Sequence, residues 1–130
     1  MRRILCVDND TDSLEIARLT LLRSDPSWSV DCSGGVVEAQ RRVNANGPYD
    51  LYVIDYWMPD RCGLELCRWI RSFDKTAAIV IHTAAVRPVD RDAAIEAGAD
   101  HFLAKPTGIT ELGDIARQLL SRAAAEAVER

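Results

Sequence analysis

Short apolar runs alternate along this chain with longer segments in which apolar residues recur every three or four positions. Ile4-Leu5-Cys6-Val7, Leu51-Tyr52-Val53-Ile54 and Ile79-Val80-Ile81 are unbroken runs, as expected of strands that helices cover on both faces. Trp28, Val30 and Cys32 instead alternate with Ser29 and Asp31, the pattern of a half-exposed strand at a sheet edge. Strands are predicted over 3–7, 28–32, 51–55, 79–82 and 101–104. Each precedes a helical segment, and that alternation builds a parallel sheet wrapped by crossover helices. The alternating strand is expected outside the first.

Helix ends are also readable. Asp12 and Glu15 form a candidate capping box for the first helix, Gly47-Pro48 closes the second, and Gly98 closes the fourth. In the last helix Leu112, Ile115, Ala116, Leu119 and Leu120 share one face, while Arg117, Gln118 and Arg122 point elsewhere. One α/β domain over residues 1–122 is predicted, with 123–130 as an extension of that helix or a tail.

Composition narrows the class. The 130 residues, 48% of them hydrophobic, suffice for one core without disulfides or metals and leave no room for a second catalytic domain. A formal charge of −4 argues against direct nucleic-acid binding and against anionic membranes, both of which need clustered Lys and Arg, and so favours protein partners. Cys6, Cys32, Cys62 and Cys67 show neither the paired spacing of a zinc site nor the density of a disulfide scaffold. They are expected as reduced core or helix residues. Met1-Arg2-Arg3 leads into an apolar stretch too short for a signal peptide, and no run approaches a membrane span. A cytoplasmic location is expected.

In an open parallel sheet, ligands bind beyond the carboxyl ends of the strands, near the point where strand order reverses. The first strand ends at Asp8-Asn9-Asp10, the third at Asp55, the fourth at Thr83, and the fifth leads into Lys105-Pro106. Paired carboxylates suit a hard dication such as Mg²⁺, and a nearby ammonium and hydroxyl can hold phosphoryl oxygens. Phosphoryl transfer needs little beyond positioning and charge neutralisation, and a carboxylate is a competent nucleophile for it.

These residues stand in motifs that resemble the receiver domains of two-component response regulators, from about residue 3 to residue 120. Ile-Leu-Cys-Val-Asp8-Asn9-Asp10 is similar to that family's first strand and acidic pair, and Asp50-Leu-Tyr-Val-Ile-Asp55-Tyr-Trp57-Met58-Pro59 to its phosphoacceptor strand and turn. Gly63-Leu64-Glu65 resembles the start of its third helix, Ile79-Val-Ile-His-Thr83-Ala84 its fourth strand, and Ala97-Gly98-Ala99-Asp100-His-Phe102-Leu-Ala-Lys105-Pro106 its fifth. The resemblance implies a flavodoxin-like doubly wound five-stranded sheet of order 2-1-3-4-5, flanked by five helices. It implies Asp55 as phosphoacceptor, with Thr83 and Lys105 on the phosphoryl oxygens. It implies Mg²⁺ held by Asp8, Asn9, Asp55 and the backbone carbonyl of Trp57, and a cis bond between Lys105 and Pro106. Thr83 and Phe102 would be switch residues, Phe102 turning inward on phosphorylation to alter the face of fourth helix, fifth strand and fifth helix. Partners would be a histidine kinase or phosphotransfer protein, and a downstream protein target or a missing effector domain. A homodimer through that same face is a further implied use. Such a domain is no enzyme toward other molecules and catalyses only its own phosphorylation and dephosphorylation.

Asn9 departs from the family pattern, which carries a metal-binding carboxylate there; its amide oxygen can ligate but adds no charge, so weak Mg²⁺ binding is expected. Cys62 stands where Asp is frequent. Plainer roles compete for several residues. Asp10 and Asp12 suit a helix N-terminus, Trp57 and Phe102 suit core or rim packing, and His82 and His101 are expected to be structural. Two other functions are weighed: a receiver-like scaffold that signals without phosphorylation, and a haloacid-dehalogenase-type phosphatase. The second rests on Asp8-Asn9-Asp10-Thr11, whose likeness to that motif ends at Asp12.

Overall fold

The computed structural model describes residues 2–84, 87–105 and 108–129, with 108–110 and 123–129 described by backbone alone. The strands are β1 (Arg3–Val7), β2 (Ser29–Ser33), β3 (Leu51–Ile54), β4 (Ala78–Thr83) and β5 (His101–Ala104). The helices between and after them are α1 (Thr11–Ser24), α2 (Val36–Asn46), α3 (Gly63–Phe73), α4 (Pro88–Glu96) and α5 (Gly108–Glu129). All strand pairs are parallel, in the order β2-β1-β3-β4-β5. The alternating strand does lie at the edge beside β1. Its span is one residue later than predicted, because Trp28 is buried below the sheet's start while Ser33 still pairs with Val7.

Successive side chains of a strand face opposite sides, and the core divides accordingly. Leu5, Val7, Tyr52, Ile54, Ile79 and Ile81 pack with residues of α2, α3 and α4. Ile4, Cys6, Leu51, Val53 and Val80 pack with Ala17 and Leu21 of α1 and with Leu112, Ala116, Leu119 and Leu120 of α5. The unbroken apolar runs are thus strands buried on both faces.

One helix cap differs from expectation. Asp10, not Asp12, caps α1: its carboxylate accepts the Asp12 N–H at 3.0 Å and the Ser13 hydroxyl at 3.1 Å. Helix formation starts at Thr11, so Asp12 already lies inside the first turn, where its charge faces the positive helix end. Gly47 ends α2 at φ 80°, and Gly98 follows α4 at φ 108°.

At the amino-end rim of the sheet the carboxylates are structural. Asp50 accepts the N–H of Arg3 at 2.8 Å, and Asp100 accepts the N–H of Ile79 at 2.8 Å while pairing with Arg71 at 3.0 Å. The carboxyl-end rim is different.

Candidate functional site

Strand register assembles the site. Val7 pairs with Ile54, so Asp8 and Asp55 leave β1 and β3 at the same level. Ile54 pairs with Ile81 and Thr83 with Ala104, which brings Thr83 and then Lys105 to that rim. Backbone bonds continue past the strands: the Asp55 N–H donates to Val7 at 2.9 Å, the Asp8 N–H to Ser33 at 3.0 Å, and the Lys105 N–H to Thr83 at 2.8 Å. The four side chains therefore stand on backbone fixed by the sheet. The site lies beside β1, where the chain turns from winding one way to winding the other.

Lys105 is the centre of the cluster. Its Nζ donates to Oδ2 of Asp8 and lies 3.8 Å from Oδ2 of Asp55. Asp8 also accepts the Asp10 N–H at 2.9 Å. Thr83, only 1% exposed, sets its hydroxyl beside the Asp55 carboxylate, and both it and the Trp57 N–H favour the charged form. Burial raises the Asp55 carboxyl above the ordinary range and the Asp8 charge adds to this, against the opposing pull of Lys105, Thr83 and Trp57. Asp55 is thus an anion held at some cost, with a cation and a hydroxyl already in place.

The remaining expected residues distribute around this core. Asn9 is exposed at the rim next to Asp8. Trp57 is 51% exposed, its ring 4.5 Å from that of Tyr56. Phe102 pairs with Ile81 and is buried in the cluster that also holds Ala94 and Ala97. Strand alternation places its side chain on the α4 side of the sheet. The Lys105–Pro106 bond lies outside the described residues, since Pro106 is not among them.

Three features escaped the sequence reading. A Cβ at Gly63 would stand 2.0 Å from the Asp55 carbonyl oxygen, so α3 begins in direct contact with the phosphoacceptor candidate's backbone. Asp60, in the loop after Asp55, accepts N–H bonds from Val36 and Val37 at 3.3 and 3.0 Å and so caps α2 from across the rim. Tyr56 lies beside Asp90, which is buried at the start of α4 and held by Arg87 at 2.9 and 3.0 Å. A glycine three residues after Pro-Asp, opening an apolar helix, was the available signal for the first; the others depend on tertiary approach.

His82 is buried at the edge of the site with Nε2 unpartnered among the described residues. Desolvation, then the Lys105 charge, brings it down to about 4 from 6.5. The unfolded chain therefore binds this proton first, and the folded state loses stability as pH falls from about 6.5 toward 4. His82→Leu should stabilise the fold by about 1–2 kcal/mol near neutral pH by removing an unsatisfied buried group. Urea unfolding should show that gain widening at about pH 5, where the unfolded wild type is protonated at His82 and the folded form is not.

Comparison with known proteins agrees with this architecture. Residues 4–117 match the family described as response regulator receiver domain. The response regulator MprA of Mycobacterium leprae is 39% identical over 120 residues, covering 92% of this chain and 51% of that protein. The chain thus spans about half the length of the curated relatives it matches. Among solved structures, a CheY-like receiver domain protein from Methanospirillum hungatei superposes with a TM-score of 0.88 at 23% identity, covering 97% and 98% of the two chains. The response regulator TrrA of Thermotoga maritima, in complex with Mg²⁺-BeF, has a TM-score of 0.78 at 31% identity, covering 92% and 99%. With its five-stranded 2-1-3-4-5 sheet and its acidic pair, threonine and lysine on one rim, this chain belongs to the response regulator receiver domain family of two-component systems.

Proposed function

We propose that Asp55 accepts a phosphoryl group from a histidine kinase or phosphotransfer protein. The observation that supports this most is Lys105 Nζ lying between the carboxylates of Asp8 and Asp55, with the Thr83 hydroxyl on Asp55. An Asp55 oxygen attacks phosphorus, the bond from phosphorus to the donor breaks, and Lys105 and Thr83 meet the charge on the phosphoryl oxygens. The chain acts on no other substrate and catalyses only its own phosphorylation and dephosphorylation. The receiver unit is 1–122, with 123–130 accessory to it, and the setting is cytoplasmic.

The donor set fits Mg²⁺. Asp8 and Asp55 converge on one ammonium, Asn9 and the Trp57 carbonyl supply further hard oxygens, and no group of three acidic, His or Cys residues forms a protein-only cage among the described residues. Mg²⁺ typically keeps several waters and takes only one or two carboxylates. Bound there, it supplies charge neutralisation for the transferred group.

Asn9 weakens this binding. Two unit charges about 4 Å apart interact by about 4 kcal/mol at an effective dielectric of ~20, and exposure at the rim screens much of that. Asn9→Asp should therefore tighten Mg²⁺ by roughly tenfold at low salt. Trp57 fluorescence can report the titration, and equal affinities would remove Asn9 from the metal's surroundings.

The signal leaves through α4, β5 and α5, the face a downstream protein, an effector domain or a second copy would take. Tyr56, the residue after Asp55, approaches Asp90 at the start of α4, where Val89 is 61% exposed. Asn9 also favours a second reading, a scaffold that signals unphosphorylated. Acetyl phosphate with Mg²⁺ separates the two: the intact mass should rise by one phosphoryl group, and no gain would favour the scaffold.

A further inference from the structure

Cys6 of β1 and Cys32 of β2 are in-register partners across a parallel pair. Both pack into the cluster beneath α1 and α5, so their side chains share one face of the sheet. Neighbouring strands run about 4.8 Å apart, inside the roughly 4.4–6.8 Å between Cα atoms that a disulfide spans. Cys6 is fully buried, whereas Cys32 is only partly covered and open to a small oxidant. The neighbouring Cys6 thiol, aided by the Arg18 charge and opposed by burial, Glu15 and Asp31, brings Cys32 down to about 7. The other two cysteines differ. Cys67 is buried, donates to the Ala97 carbonyl at 3.3 Å and is pushed up to about 11, and Cys62 lies in the turn before α3.

We propose that Cys6 and Cys32 are a redox-reactive dithiol, a modification site at which peroxide closes a disulfide between β1 and β2. The Cys32 sulfur attacks one peroxide oxygen; the O–O bond breaks, an S–O bond forms, and the departing oxygen leaves as water with the Cys32 proton. The Cys6 sulfur then displaces the hydroxyl of the Cys32 sulfenic acid. An S–S bond forms, the S–O bond breaks, and the Cys6 proton leaves with the hydroxyl as a second water. The thiols lose two electrons and hydrogen peroxide gains them. Cys6 shares the lining of a small cavity with Asp8 and Asp55, so the bond forms directly behind the phosphoacceptor rim.

The test is peroxide treatment of the purified full chain, followed by alkylation under denaturing, non-reducing conditions. The monomer should lose two hydrogens, keep only Cys62 and Cys67 alkylatable, and yield a Cys6–Cys32 linked peptide that dithiothreitol reverses. Cys32→Ser should leave Cys6 alkylatable, and Cys6→Ala should halt Cys32 at a sulfenic acid that dimedone captures. Because Cys6 lies in the core, the wild-type peptide map and Cys32→Ser decide the matter even if Cys6→Ala does not fold. Cys6 still alkylatable after oxidation, or a disulfide that joins two chains or contains Cys62, would overturn the proposal.

Discussion

Asp55→Asn should abolish phosphoryl uptake while leaving the metal-free chain at least as stable as the wild type at neutral pH. The first effect follows from chemistry, since an amide cannot form the acyl phosphate and no neighbouring carboxylate is free to replace it. Asp8 is engaged by Lys105 and by the Asp10 N–H, and Asp60 by the first turn of α2. The second follows from electrostatics. The Asp55 carboxyl is raised chiefly by burial and also by the Asp8 charge. A carboxyl raised in the folded state favours folding when protonated, and that contribution is lost as pH rises through its folded value. Asparagine never ionises, so it escapes the loss, and it can still accept a hydrogen bond from Thr83. With chelator present, urea midpoints of wild type and variant should separate near neutral pH in the variant's favour and converge as pH falls. A variant less stable at neutral pH would mean that the Lys105 attraction outweighs desolvation.

Gly63→Ala should destabilise the chain by about 3 kcal/mol or more, at the upper end of single-site effects. The added methyl would stand 2.0 Å from the Asp55 carbonyl oxygen and 2.9 Å from the Ile54 side chain. A flexible side chain could move aside. The Asp55 carbonyl belongs to backbone pinned by the bond from its own N–H to Val7 and by the Gly63 N–H donating to Tyr56 at 2.8 Å. Labelling of the folded fraction should fall too, because relief of the clash must shift Asp55. Gly34→Ala is the control: its new methyl would meet only the Glu38 carboxylate at 3.6 Å, an ordinary contact with a flexible side chain. It should cost less than about 1 kcal/mol. Equal losses in the two variants would show that the Gly63 contact is easily relaxed.

The sheet and the four site side chains were legible because each depends on local pattern. Apolar runs marked β1, β3 and β4, and the polar residues that end those runs had to emerge at one rim once the strands were parallel. Lys105 and Thr83 carried little meaning individually; their register with Asp55 supplied it. What stayed hidden depends on approach between distant segments. Asp60 reads as a turn residue until the start of α2 is seen against it, and His82 reads as an ordinary strand residue until burial leaves Nε2 without a partner among the described residues. Asp10 and Asp12 were both sensible caps, and the point at which the helix begins decided between them. Phe102 was placed on the correct strand, but its burial beside Ala94 and Ala97 depends on the approach of α4. Cys6 and Cys32 looked like separate core residues because their pairing depends on the register of β1 against β2.

The most direct test of the central claim is to locate the phosphoryl group. Borohydride reduces an acyl phosphate to the corresponding alcohol, so a phosphorylated aspartate is converted to homoserine and keeps that mark through digestion. The chain should be treated with acetyl phosphate and Mg²⁺, reduced, and mapped by peptide mass. The account predicts conversion at Asp55 alone, in proportion to the phosphoryl gained by the intact protein. Conversion at Asp8 or Asp60, or a phosphoryl gain that leaves every aspartate unreduced, would contradict it.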